Sequence, residues 1–203
     1  MQAPPCARER ALARTGLLTV LVVALSLVAF CSAADAVLFA DLPTAAGGTA
    51  QTSTGALGIV RARRLEPQVL SAINDFRRAH GLRPLRPNLA LAAAADQHSL
   101  SMAEYGFFEH TSLDGSPFWK RVEAAYPKDR GRFWKVGENL AWASPGLNAR
   151  QALELWLASP SHRENLLSPV WREIGLGAVH GVASGIYEGR EVTILTADFG
   201  ARR

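Results

Sequence analysis

Two histidines and one glutamate stand where a fold could gather them. His110 follows Phe107-Phe108-Glu109, Glu138 lies within Gly137-Glu138-Asn139, and His162 closes Ser159-Pro160-Ser161-His162. Their spacing is too long for one helix or strand to align them, so only tertiary structure can bring them together. Two imidazoles and a carboxylate in one cleft can bind a divalent metal such as zinc, weakly and with water in the open positions, or move protons. The same three side chains can instead pair with one another, as a hydrogen-bonded His–Glu–His cluster that ties loops together. His110, Glu138 and His162 are therefore at once the candidate metal ligands and, if the chain is an enzyme, its candidate catalytic residues. Ser159 and Ser161 beside His162 raise acyl transfer as a further chemistry, although no Gly-x-Ser-x-Gly elbow is present. Metal-assisted hydrolysis fits the residue types better, and no substrate is named by them. Phe107, Phe108, Phe118, Trp134 and Trp142 add the option of a hydrophobic groove for a lipid or other small ligand, set against the plainer reading that they are core.

The elements that must position these residues read as helices first and strands last. Leu65, Val69, Ile73 and Phe76 recur at helical spacing, with Asp75, Arg77 and Arg78 expected on other faces and Gly81 as the stop. Pro84 and Pro87 hold the next segment extended. Asn88 is suited to cap a helix over 89–105, rich in alanine and so open to close approach by a neighbour. On that helix His98 shares a stripe with Leu91, Ala94 and Met102, which points to a hydrogen-bonded core histidine rather than a ligand. Gly106 ends the helix and leaves Glu109 and His110 in a loop. Asp114-Gly115-Ser116-Pro117 makes a turn into a short helix with Phe118, Val122 and Tyr126 on one side. The segment 133–142 reads as a strand. Asn148 caps a helix that turns Ala152, Leu153, Trp156 and Leu157 inward, and Pro160 should end or kink it ahead of a further turn at 163–167. Alternation around Ile174, Leu176 and Ala178, and again around Val192, Ile194 and Thr196, argues an antiparallel hairpin. This order indicates an α+β domain.

The N-terminal 36 residues read as an export segment. Arg8, Arg10 and Arg14 precede the apolar run 16–30, and Ser32-Ala33-Ala34 and Ala34-Asp35-Ala36 supply small residues for cleavage, so a signal peptide is expected, with a retained membrane anchor as the alternative. Residues 37–64 read as a flexible linker and 65–203 as the domain. The only cysteines, Cys6 and Cys31, fall in the export segment, which removes thiol catalysis and cysteine-ligated zinc from the domain. The net charge of +4 includes no basic block long enough for a nucleic-acid stripe. The expected setting is periplasmic or extracellular. The partners are a small ligand, a lipid or an envelope component, with a membrane engaged only through a retained N-terminal segment.

The motifs in this order resemble the CAP (or SCP) superfamily, which includes the cysteine-rich secretory proteins, antigen-five allergens and plant pathogenesis-related proteins, and most closely its cysteine-free bacterial branch. The resemblance rests on Ile73-Asn74-x-x-Arg77, Gly106-Phe107-Phe108-x-His110, Arg121, Gly137-Glu138-Asn139-Leu140-Ala141, Trp156-x-x-Ser159-Pro160-Ser161-His162-Arg163 and Asp198-Phe199-Gly200. It implies an α-β-α sandwich with a small antiparallel sheet between helical layers. It also implies a cleft of two histidines and two acids, in which His110, Glu138 and His162 match three of the four. Where the family has its second glutamate this chain reads Trp156-Leu157-Ala158-Ser159, and Glu154 before the tryptophan is not a positional match.

Overall fold

The computed structural model describes residues 58–128 and 133–203. The expected export segment 1–36 and most of the 37–64 linker lie outside the described residues. The elements run β1 (Val60–Arg61), α1 (Leu65–Ala79), β2 (Arg86–Pro87), α2 (Leu89–Tyr105), α3 (Phe118–Ala125), β3 (Trp134–Ala143), α4 (Ala149–Ala158), α5 (Pro160–Leu167), β4 (Glu173–Ala183) and β5 (Arg190–Arg202). The sheet has the order β1-β4-β5-β3, with β2 added in parallel alongside β4 and every other pairing antiparallel. Helices α2 and α3 cover one face, and α1, α4 and α5 cover the other. This is the expected α-β-α sandwich of an α+β domain.

The period of two in the last strands decides which side chain meets which layer. Ile174, Leu176 and Ala178 of β4, with Leu195, Ala197 and Phe199 of β5, pack under α1 and α4 around buried Trp156. Gly175 and Gly177 point the other way, and there α2 lies directly on the strand. A Cβ on Gly177 would stand 2.1 Å from the backbone nitrogen of Asp96, and one on Gly175 would stand 2.0 Å from that of Ala92. The alanine run of α2 is the matching half of this approach. Asn88 caps α2 through Oδ1, which accepts from the backbone of Ala90 at 2.9 Å and Leu91 at 3.2 Å. Asn148 and Gln151 form a reciprocal capping box at the start of α4.

Three local expectations are corrected. Arg77 does not sit on an outer face of α1: it is fully buried. Its guanidinium donates to the carbonyls of Leu166 (2.8 Å), Ser168 (3.1 Å) and Arg83 (3.0 Å), so a charge replaces an apolar side chain because it gathers otherwise orphaned carbonyls. Pro160 is a beginning as well as an end, since it occupies the first turn of α5, where a missing N–H costs nothing. The segment read as a simple turn is thus helical, and His162 lies on it. Strand pairing also starts before Leu65, because Val60 sits opposite His180 and Arg61 opposite Val179. Among the described residues no helix is long and apolar enough to cross a membrane.

Candidate functional site

The site forms around β3, which lies at the end of the strand order. Alternation along this strand sends Glu138 toward α2 and α3 and Asn139 toward α5. Gly137 makes room between them for a neighbour: a Cβ there would stand 2.8 Å from the ring of Trp171. The amide of Asn139 donates to the carbonyl of His162 at 3.0 Å, and that of Asn165 donates to the carbonyl of Glu138 at 3.2 Å. Trp156 Nε1 donates to the carbonyl of Leu140 at 2.8 Å. The Gly-Glu-Asn segment and the Ser-Pro-Ser-His helix are therefore bound to one another, and this brings His162 to the same place as Glu138.

The structure unites all three expected residues. The Glu138 side chain is wholly buried, and its Oε1 lies 2.7 Å from His110 Nδ1. Its Oε2 accepts from Arg121 Nη2. A carboxylate only accepts here, so Nδ1 of His110 carries a proton toward it, and in the neutral ring it is Nε2 that keeps the free lone pair. The ring of His162 faces that of His110 with centroids 6.0 Å apart. Burial, and secondarily His110, lowers the pKa of His162 and favours its neutral form. His110 is half-exposed, so the pair opens to solvent on one side.

Glu138 is thus committed at both oxygens, to Arg121 and to His110, and its place is behind the imidazole. Among the described residues no group of three His, Cys, Asp or Glu side chains is arranged to hold a metal ion. What the site presents is an Arg121–Glu138–His110 chain with a second, neutral imidazole opposite. Such a chain fixes a ring and its tautomer, as carboxylates do behind metal-binding or proton-transferring histidines.

The other sequence candidates fall elsewhere. His98 is buried, and its Nε2 lies 2.8 Å from the carbonyl of Glu109, as expected of a core histidine; burial lowers its pKa. Ser159 and Ser161 lie 3.4 Å from each other, and neither hydrogen-bonds an imidazole. Glu154 stays on the outer face of α4 with Arg150 at 3.6 Å. Phe107, Phe108 and Trp142 pack on the buried cluster around Met102 and Ile194, and Phe118 and Trp134 on that around Leu91 and Tyr126. All five pack against the core while remaining partly exposed.

Two residues beside the site were not singled out by type or spacing. Arg121 and Asp198 were visible only as parts of the family resemblance. Asp198 lies directly opposite Glu138 across the β3–β5 pairing. Its side chain is fully buried beside that of Glu138, with neither oxygen in a hydrogen bond of good geometry among the described residues, and burial followed by the neighbouring Glu138 carboxylate raises its pKa well above the ordinary value. The signal in the sequence was an acidic residue amid the apolar alternation of a last, central strand.

Comparison with known proteins matches residues 70–195 to the model of the CAP family, described as the cysteine-rich secretory protein family. All three site residues fall inside that match. The chain is 32% identical over 150 residues to the Bacillus subtilis protein YkwD, covering 73% of this chain and 54% of YkwD. It is 32% identical over 112 residues to the Bacillus subtilis membrane protein YlbC, covering 55% of this chain and 31% of YlbC. The chain thus spans about half the length of one curated relative and a third of the other. Among solved structures, an outer surface protein of Borrelia burgdorferi shares the fold with a TM-score of 0.56 at 21% identity, over 72% of this chain and 99% of that one. An extracellular protein containing an SCP domain from Bacillus anthracis does so with a TM-score of 0.54 at 24% identity, over 68% of this chain and 41% of that one.

Proposed function

The chain belongs to the CAP family, and from that premise we propose that it is an exported domain whose paired imidazoles, His110 and His162, bind a divalent metal such as zinc or a small ligand in its place. One observation carries this reading. Glu138 is held between Arg121 and His110, so it orients the first imidazole from behind and leaves Nε2 to act toward His162. Two neutral imidazoles suit zinc and other first-row divalent ions, and a carboxylate on the far ring nitrogen is the usual outer partner of such a ligand. With two protein donors, water or ligand atoms would complete the coordination, so the ion would be weakly held and able to polarise whatever small molecule shared it. Glu138 is proposed here as the orienting group and not as the third ligand.

Export is supported by the basic, apolar and small-residue order of the first 36 residues and by the descriptions of relatives as extracellular, outer-surface or membrane proteins. The decisive experiment is calorimetric titration of zinc into the purified protein, with the His110→Ala/His162→Ala double variant as control. Saturable one-to-one binding that the double variant abolishes is the expected result. No binding, or binding unchanged in the variant, would leave the three residues as a hydrogen-bonded cluster that serves the fold alone.

A further inference from the structure

Between α2, α3 and the turn at 112–116 lies a cleft of about 530 Å³ that the paired imidazoles do not line. Its volume falls in the range of small-molecule sites, roughly 300–1,000 Å³. Gln97 and Ser101 of α2 face Ser112 and Ser116 of the turn across it. The Gln97 amide and the Ser101 hydroxyl offer donors and acceptors, while Ser112 Oγ accepts from Arg121 and the Ser116 side chain bonds Asp114.

Among the described residues, the charges lining this cleft cancel. Arg121 forms part of the wall, but its guanidinium is already engaged with Glu138 and with Ser112 Oγ at 2.9 Å. Lys120 lines the cleft together with Asp114, and the two charges attract and offset one another. A phosphate or carboxylate would find little net attraction. His98 also borders the cleft but is buried, with its Nε2 committed to the Glu109 carbonyl and its neutral form favoured by burial, so it adds no charge there. Leu113 on the lining is 56% exposed and offers an apolar surface beside these polar groups.

We propose that this cleft binds a neutral, hydroxyl-rich ligand of the size of a mono- or disaccharide. Vicinal hydroxyls match an amide and hydroxyls that can give and take hydrogen bonds, Gln97 and Ser101 foremost, and the C–H face of a sugar ring fits against Leu113. The absence of net charge separates this ligand class from anions, and the polarity of the lining separates it from lipids. The proposal is independent of the imidazole site, with Arg121 as the one side chain common to both.

The test uses the full 203-residue chain, uniformly labelled for amide shift mapping, against cellobiose, maltose, N,N′-diacetylchitobiose, glucuronic acid and inorganic phosphate. Saturable shifts with at least one neutral disaccharide, centred on Gln97, Ser101 and the 112–116 turn, are expected. Gln97→Ala and Ser101→Ala should each weaken that binding about five- to tenfold, the effect of one lost hydrogen bond. Ala124→Trp on the exposed side of α3 should block it by filling the cleft, with an unchanged circular dichroism spectrum. The His110→Ala/His162→Ala variant should bind the sugar as the parent does, so failure of the metal reading leaves this one standing. Binding of phosphate or glucuronic acid in preference to every neutral sugar would overturn the proposal. So would shifts centred elsewhere, no response to any neutral disaccharide, or undiminished affinity in both polar variants.

Discussion

At the scale of single residues, the site is organised by buried charge. Glu138 has no exposed side-chain surface, and its negative charge is tolerable because Arg121 stands against one oxygen and His110 against the other. Removing one partner of such a pair leaves the other uncompensated, at a cost of about 3–5 kcal/mol. Arg121→Ala should therefore lower stability by that order in urea denaturation, and it should also loosen the His110 ring. Asp198 behaves in the opposite sense. Its folded pKa is raised above the ordinary aspartate value of 3.8, so its protonated form is the one the fold accepts. The stability linked to it is fully present below that value and falls as pH rises above it, toward the higher folded pKa. Asp198→Asn, which mimics the protonated form, should match the parent near pH 3 and become progressively more stable than it as pH rises beyond about 4. Thermal melts of the two proteins across that range would check this, and a constant difference at all pH values would contradict it.

At the scale of elements, the histidines are placed by contacts that lie far from them. Arg77 of α1 binds the carbonyls at the end of α5, the helix that carries His162. Arg77→Ala should cost roughly 3–5 kcal/mol, since several charge-assisted hydrogen bonds disappear and leave carbonyls without partners. It should also weaken zinc binding although it touches neither imidazole. Titration of zinc into this variant, at a temperature where it remains folded, would separate the two effects. On the other face, Gly177→Ala places a methyl group 2.1 Å from the backbone of α2, and a helix backbone cannot yield as a side-chain tip can. A loss of about 3 kcal/mol or more, read from the urea midpoint, is expected, because α2 must lift from β4.

The elements were largely legible in the sequence, and the reasons are specific. Asn88 and Asn148 announce helix starts because a short polar side chain can take the orphaned N–H groups. The alternation in β4 and β5 announces strands because one face of the sheet meets apolar α1 and α4 and the other meets α2. Arg77 was misplaced because helical periodicity counts charge as solvent-facing, and nothing local reveals three distant carbonyls. The helical turn at His162 was missed because Pro160 reads as a stop until the preceding helix is known to end two residues earlier, at Ala158. In the site, residue types identified His110, Glu138 and His162 as a group, but not the order in which they connect. That order depends on Arg121, whose role appears only when α3 is laid against β3.

At the scale of the whole molecule, the described domain contains no cysteine and relies on the cores on either side of its sheet and on buried charges such as Arg77 and the Arg121–Glu138 pair. Both cysteines precede the described residues, so cleavage of the N-terminal segment would deliver a thiol-free protein to an oxidising compartment. N-terminal sequencing of the exported form should find a start at Asp35 or Val37, following one of the two small-residue sites. A start at Met1 in a membrane fraction would identify the segment as a retained anchor.

The hydrogen bonds from Asn165 and Trp156 to β3 have a consequence for association between molecules. An outermost strand ordinarily displays free carbonyls that another chain can pair with, which is a route to aggregation. Here the carbonyls of Glu138 and Leu140 are already occupied by side chains from the helical layer. Along its middle, the strand that carries the polar site therefore offers fewer free carbonyls to a passing β-strand, which makes the sheet margin beside the solvent-open cleft a poorer template for pairing between molecules.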